Sequence, residues 1–357
     1  MDLTLHLTSS CNMNCSYCYD KKQEYQQDMT FAIAQKIIDF AVNQTGSKTI
    51  NITFVGGEPL LKKELIKQTV EYCNQHNEKT FLFSILTNGL LLDNEFIDFS
   101  LMNNIAISLS LDGIEESHNL YRKIGDNDSW EIINAKFELL ISKIPESMIL
   151  ITLNPETVKY LADSISYLIE SGAKSISISL NFMVSWHNDQ LSLLQSQLME
   201  IAKFYKMCYK ENNYFYLNIF DSRIHSLIDG FVNKGRCDLN GNHLSIAPNG
   251  DFSPCIAFVK KDSDYKIGNI DSGIVTNRLK EFQKKRIVSN NVCNNCDIND
   301  RCFNWCACSN YLATGSINEI SPILCEFEKM LIPISDQIAE ELYSAKNRSF
   351  MKRFYLK

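Results

Sequence analysis

The sequence predicts an α/β fold, an open partial (β/α)6 barrel followed by a small cysteine-rich domain. Three observations carry this expectation. Strand-like and helix-like segments alternate six times between Leu3 and Asn212. The strand segments are rich in Ile, Leu, Phe and Val on both faces, as in a parallel sheet buried between layers. Polar and glycine-rich motifs recur at their C-terminal ends, where parallel α/β folds place active sites. Six units are too few for the usual eight-stranded closed barrel, so the barrel is expected to stay open.

The first strand, Leu3 to Leu7, runs straight into Cys11-Asn-Met-Asn-Cys15-Ser-Tyr-Cys18. An amphipathic helix over Phe31 to Asn43 follows, then a strand over Thr49 to Val55 that ends in Gly56-Gly57-Glu58-Pro59. A helix over Lys62 to Gln75 precedes a third strand, Thr80 to Leu86, which ends in Thr87-Asn88-Gly89. Strands over Ile105 to Leu111, Met148 to Leu153 and Lys174 to Phe182 complete the alternation, the last leading to a helix over Asp189 to Asn212. The character changes near Arg236. From there to Cys325 the chain carries eight of its thirteen cysteines, with turn signals and short strand-like runs. Such a segment is expected to be held by metal more than by an apolar core. A last amphipathic helix over Ile332 to Ala345 leads to a basic tail. The domains expected are residues 1–230, 231–330 and 331–357.

At 357 residues with 45% hydrophobic and 22% charged residues, the composition is that of a globular protein. The net charge of -7 argues against a nucleic-acid partner. No run of about 18 apolar residues suggests a membrane span, and the start lacks the basic region of a signal peptide. A cytoplasmic location is expected, where thiols stay reduced. The cysteines are then read as metal ligands.

Cys11, Cys15 and Cys18, in C-x3-C-x2-C spacing, can hold three corners of a four-iron cubane. Such clusters normally take four thiolates, so one iron is left for an outside ligand. Zinc spacings usually come as two separated pairs, which this is not.

With this triplet after the first strand and Gly56-Gly57-Glu58-Pro59 after the second, the chain resembles the radical S-adenosylmethionine (SAM) enzymes, whose fold is a TIM-like partial barrel. The resemblance implies that SAM chelates the open iron through its amine and carboxylate. Tyr17, before the third cysteine, would lie by the adenine, and Gly56, Gly57, Glu58 and Pro59 would meet the amino group. Ser110 aligns with a contact to the ribose or carboxylate, and Arg122 with the arginine that pairs with the carboxylate. Thr87 and Asn88 would line the pocket, and His6 would face the barrel interior.

The second cysteine group resembles the seven-cysteine SPASM extension. Cys237 precedes Gly250-x4-Cys255, and then come Cys293-x2-Cys296-x5-Cys302-x3-Cys306 and Cys325. A hairpin over His243 to Cys255 and the run Lys266-Ile-Gly268-Asn-Ile belong to the same pattern. By family assignment Cys293, Cys296, Cys302 and Cys325 hold one auxiliary iron–sulfur cluster, and Cys237, Cys255 and Cys306 supply three ligands of another. No cysteine lies between Cys237 and Cys255 to complete the second, so either Cys308 closes it or an iron stays open. Cys73 and Cys208 fall on helices and are expected to be buried packing residues.

The cofactors implied are SAM and three [4Fe-4S] clusters. Reductive cleavage would give a 5′-deoxyadenosyl radical able to take hydrogen from an unactivated carbon. An open auxiliary iron could hold a substrate cysteine thiolate. The expected activity is crosslinking of a ribosomally made precursor peptide, through a Cys thioether or through a carbon–carbon bond. A sulfatase-maturating role is disfavoured, because the aspartate base expected just after the Gly-x4-Cys motif is replaced by Ile256, and Asp251 lies before the cysteine. An electron-transfer protein would have no need of the Gly-Gly-Glu-Pro turn. An external one-electron reductant of flavodoxin or ferredoxin type is implied. With the first strand starting at Leu3, leader recognition is expected from a separate protein or from the barrel or SPASM surface.

Overall fold

The computed structural model describes residues 1–18, 27–230, 243–259, 265–285, 291–303 and 306–356. Cys237 and the last residue of the basic tail lie outside them. The described elements begin with β1 (Asp2–His6), α1 (Phe31–Gln44), β2 (Thr49–Val55), α2 (Lys63–Cys73), β3 (Thr80–Thr87), α3 (Asn94–Met102) and β4 (Ile105–Ser110). There follow α4 (Glu115–His118), β5 (Lys123–Ile124), β6 (Asn127–Asp128), α5 (Trp130–Lys143), β7 (Met148–Leu153), α6 (Leu161–Glu170) and β8 (Ser175–Leu180). Next come α7 (Asn188–Lys210), β9 (Tyr216–Leu217), α8 (Asn218–Ile228), β10 (His243–Ile246), β11 (Asp251–Ser253), β12 (Gly268–Asn269) and β13 (Gly273–Ile274). The last helices are α9 (Thr276–Lys285), α10 (Asn291–Asn294), α11 (Ala307–Thr314), α12 (Pro322–Ser344) and α13 (Arg348–Phe354). No helix among the described residues is long and apolar enough to cross a membrane.

Two compact units share these elements. One takes residues 1–110, 121–143 and 237–287, the other 111–120, 144–236 and 288–357. Within the first unit β1, β2, β3 and β4 are parallel neighbours, with Thr4 opposite Thr53 and Thr53 opposite Ser84. The far edge of β1 is also occupied. β10 lies parallel to it, Leu3 opposite Leu244, and the hairpin partner β11 and then β12 and β13 extend the sheet antiparallel. The cysteine-rich segment thus begins as a continuation of the first sheet.

The second face of the strands is only partly apolar, where both faces were expected to be apolar throughout. On β2, Ile50, Ile52 and Phe54 are fully buried while Asn51 is exposed and Thr53 half-buried. On β3 and β4 the second face holds Ser84, Ser108 and Ser110, and Thr53 and Ser84 hydrogen-bond at 2.8 Å. Helices α1 and α2 supply the apolar cover from Ile37, Ile38, Ala41, Ile66 and Val70. The small hydroxyls on that second face suit a sheet that must leave room for bound molecules.

In the second unit β7 and β8 pair in parallel, Ile151 opposite Ile178, with β9 beyond. Helices α7, α8, α12 and α13 pack in this unit around Tyr205, Tyr209, Phe220 and Phe350, all buried. Arg353 of α13 pairs with the buried Asp221, which also accepts from Tyr205 Oη at 3.0 Å and Leu217 N at 2.8 Å. Helix α12 starts ten residues before the expected Ile332. Pro333 reads as a helix start because proline suits a first turn, but here it sits inside the helix and removes one backbone bond.

Candidate active site and metal centres

The loop after β1 is laced to the turn after β2, backbone to backbone. Gly57 N donates to Thr8 O at 2.8 Å and Glu58 N to Ser10 O at 2.9 Å. A Cβ on Gly57 would stand 2.2 Å from Ser10 O, and one on Gly56, whose φ is 149°, 2.4 Å from Thr8 O. Both glycines are therefore required by the approach of these two chain segments. Thr8 is fixed in turn. Its Oγ1 donates to Asp28 Oδ1 at 2.6 Å and accepts from Ser10 N at 3.1 Å, and Lys62 pairs with the other oxygen of Asp28 at 2.5 Å. Lys62 and Thr8 hold the Asp28 carboxyl below the usual carboxylate range. Nothing in the sequence pattern singled out Asp28.

Glu58 is 1% exposed. Oε1 accepts from Leu60 N at 2.9 Å and Thr87 Oγ1 at 2.6 Å, and Oε2 from Asn88 N at 2.8 Å. Burial pushes its pKa up, and the Thr87, Asn88 and Leu60 donors oppose the shift. The carboxylate expected to face an ammonium is thus first a brace joining the ends of β2 and β3. Pro59 is buried beside it and opens a short 3-10 turn, Pro59–Lys62. Asn88 extends the brace, its Nδ2 donating to Asn12 Oδ1 at 2.8 Å and lying 3.6 Å from Cys11 Sγ.

Cys11 is exposed, and Cys15 and Cys18 are half-buried. Desolvation of its sulfur raises the pKa of Cys11, as do the charges of Glu58, Cys15 and Cys18, while the N–H of Met13, 3.5 Å away, opposes. Cys15 and Cys18 therefore lie within electrostatic reach of Cys11. Among the described residues no three His, Cys, Asp or Glu side chains converge as the ligands of one ion do. Three thiols on one loop fit a cubane corner set, in which each meets a different iron.

The second half of the loop is pinned by Asn14 N donating to Lys123 O at 2.7 Å and Ser16 N to Tyr121 O at 2.9 Å. This brings together two residues given separate roles. The Arg122 guanidinium lies over the Tyr17 ring, 5.4 Å from its centroid, and the Tyr121 ring is 5.6 Å from that of Tyr17. Arg122 and His6 are buried, and Ser110 ends β4 half-buried.

In the cysteine-rich segment, Cys293, Cys296 and Cys302 are spaced by backbone turns: Cys296 N to Cys293 O at 3.1 Å, Asn299 N to Cys296 O at 3.0 Å and Cys302 N to Asn299 O at 3.4 Å. Cys325, in the first turn of α12, interacts electrostatically with Cys296. The structure thus brings the distant Cys325 within electrostatic reach of Cys296. Cys306 caps the N-terminus of α11, where hydrogen bonds from Cys308 and Ser309 lower its pKa to about 5. Cys308 itself is buried. Cys255 is half-buried ahead of the turn Ile256–Phe258. Cys73 and Cys208 are buried in α2 and α7, and burial pushes the Cys208 thiol up to about 11 and that of Cys73 higher. They are packing residues.

Residues 5–168 match the Radical SAM superfamily model, and residues 237–297 match the SPASM model, an iron–sulfur cluster-binding domain. An uncharacterized protein of Methanocaldococcus jannaschii, MJ0907, is 33% identical over 180 residues, half of this chain and 62% of that one. The radical SAM cyclopropyl synthase TigE of Paramaledivibacter caminithermalis is 23% identical across 92% of this chain and 72% of its own length. The fold is shared with anSMEcpe, solved with bound AdoMet and Kp18Cys peptide, at a TM-score of 0.80 over 95% of this chain and 99% of that one, with 21% identity.

Proposed function

The chain belongs to the radical SAM enzymes that carry a SPASM domain, and from that premise we propose that it is a peptide maturase that crosslinks a ribosomally made precursor. The observation that carries this reading is the lacing of the Cys11–Cys18 loop to Gly56-Gly57-Glu58-Pro59 through Thr8 and Ser10. A mere electron carrier needs no such joint. The peptide bound by anSMEcpe supports the substrate class. Bound together, SAM and a cluster with an open iron supply hydrogen-atom abstraction from an unactivated carbon.

The residues divide the remaining work. Cys11, Cys15 and Cys18 hold the first cluster, and the Gly56–Gly57 backbone is set beside it by the contacts to Thr8 and Ser10. Tyr17, held by Arg122, and Thr87, Asn88 and Ser110 form the surroundings of SAM. Cys293, Cys296, Cys302 and Cys325 hold one auxiliary cluster, and Cys237, Cys255 and Cys306 a second, giving three in all. A flavodoxin or ferredoxin type reductant supplies the first electron.

The crosslink proposed is a Cys thioether, motivated by the absence of a cysteine between Cys237 and Cys255. Cys255 and Cys306, with Cys237, would hold a cluster whose remaining iron is open to a soft ligand such as a substrate thiolate. A thioether link requires the peptide to lose two hydrogens, one from the carbon as a hydrogen atom and one from the thiol as a proton, with one electron given up to an acceptor such as an auxiliary cluster would supply. A carbon–carbon link is the second reading, favoured by the likeness to a cyclopropyl synthase. Sulfatase maturation is a third reading, favoured by the likeness to the cysteine-type anaerobic sulfatase-maturating enzyme of Clostridium perfringens, 23% identical across 84% of this chain and 86% of its own length, and opposed by Ile256 where an aspartate base was expected. Asp251 on β11 is engaged by the β12 segment, where Lys266 at 2.5 Å and Asn269 at 2.6 Å hold its carboxyl low against the upward push of burial.

Intact-mass analysis of a cysteine-containing precursor peptide after turnover tests the reading. Loss of two hydrogens per link with fewer alkylatable thiols is the expected result. The same loss with all thiols intact selects the carbon–carbon link. An unchanged mass overturns the maturase.

A further inference from the structure

The turn segment that carries Cys302 is tied into the fold on both sides of that cysteine by arginines. Arg301, just before it, forms a two-bond fork to Asp336 of α12, Nη1 to Oδ2 at 2.7 Å and Nη2 to Oδ1 at 2.6 Å. The same guanidinium reaches Arg223 O at 3.2 Å and Ser226 Oγ at 3.4 Å on α8. Phe303, just after Cys302, lies under Arg223, whose guanidinium is 4.8 Å from the ring centroid. Arg223 in turn pairs with Glu328 of α12, Nε to Oε2 at 3.3 Å and Nη2 to Oε1, and donates to Asn218 O at 3.4 Å. Arg223 and Glu328 are both buried.

Every anchor on α12 belongs to the helix whose first turn holds Cys325. Glu328 follows Cys325 by three residues, about one helical turn. Its carboxylate is paired with the buried Arg223. Both arginines therefore fix where the Cys302 segment meets α12. The arrangement stands on direct protein contacts.

We propose that Arg223 and Arg301 are positioning residues that pre-form the auxiliary cluster site of Cys293, Cys296, Cys302 and Cys325 before iron arrives. The proposal rests on the auxiliary-cluster reading above. Bidentate guanidinium–carboxylate pairs fix direction as well as distance, which a ligand segment of short turns cannot do alone.

The test uses the full chain with Cys11, Cys15 and Cys18 replaced by alanine, reconstituted anaerobically, so that the auxiliary clusters are the iron in view. Release of iron to a ferrous chelator is timed. Arg301→Gln and, from the more exposed side, Asp336→Asn are each expected to speed release of about half the iron at least tenfold. Arg301→Lys keeps the charge, loses the fork and should fall between. Arg353→Gln breaks a buried ion pair with Asp221 in the same unit and is expected to release iron at the parental rate. Parental rates in both fork variants would overturn the clamp. So would equal acceleration by Arg353→Gln, which would mean general destabilisation. A parent that binds no iron in this background would overturn the auxiliary-cluster reading, and the clamp with it.

Discussion

Alanine at Gly57 is expected to lower 5′-deoxyadenosine formation about 100-fold while leaving the cysteine ligands unchanged in sequence. The added Cβ would lie 2.2 Å from Ser10 O, 2.5 Å from Ser10 C and 2.9 Å from Ser9 O. All three are backbone atoms, so no side chain can swing aside. Relief requires the segment from Thr8 to Ser10 to move, which breaks the bonds of Gly57 N to Thr8 O and Glu58 N to Ser10 O. Overpacking of this kind costs about 1–3 kcal/mol and each lost bond about 1 kcal/mol more. The displaced segment leads directly into Cys11, so the damage falls on the relation between the cluster loop and the turn. A displacement near 1 Å is enough for the stated loss. Turnover at the parental rate would show that the close approach has no bearing on SAM cleavage. Gly46, with nothing within 4 Å of an added Cβ, is the control position.

Replacing Cys11, Cys15 and Cys18 together by alanine is expected to abolish SAM cleavage under dithionite and to remove one cluster's iron. At four irons per cubane, the parent should hold about twelve and the variant about eight. Iron and sulfide analysis with Mössbauer and EPR spectra reads both numbers. About four in the parent and none in the variant would mean that the C-terminal cysteines bind something else, and the thioether proposal would fall. 5′-Deoxyadenosine from the variant would remove the triplet from the chemistry.

The order of strands and helices was legible because the apolar runs are long and clearly punctuated. Thr49–Val55 and Met148–Leu153 were bounded correctly by Gly-Gly after one and Asn154-Pro155 after the other. The partly polar second face was not legible, because Leu82 and Leu86 alternate with Ser84 on β3 and make the strand read as apolar throughout although both leucines are exposed. Helix α12 was shortened by Pro333, whose local signal is the same at a start and within a helix. At the site, motif residues could be nominated from spacing. That Glu58 spends its oxygens on Leu60, Thr87 and Asn88 could not, since two of these donors are backbone N–H groups and carry no sequence signal. The place of Asp28 beside Thr8 was hidden for a similar reason: a single carboxylate in a polar stretch is ordinary composition.

The pairing of β10 with β1 has a consequence for biosynthesis. Leu3 meets Leu244 across that ladder, so about 240 residues must be made before β1 gains its second neighbour. At roughly 5–20 residues per second, a nascent chain carries β1 with one bare edge for roughly ten to fifty seconds. A bare edge is a template for pairing with other chains. The exposed ladder ends at the loop that bears Cys11, so iron delivered during this interval would meet a cysteine triplet whose supporting strand is bounded on one side alone. A chain cut after residue 230 would be fixed in that condition, with an aggregation-prone edge beside its cluster loop.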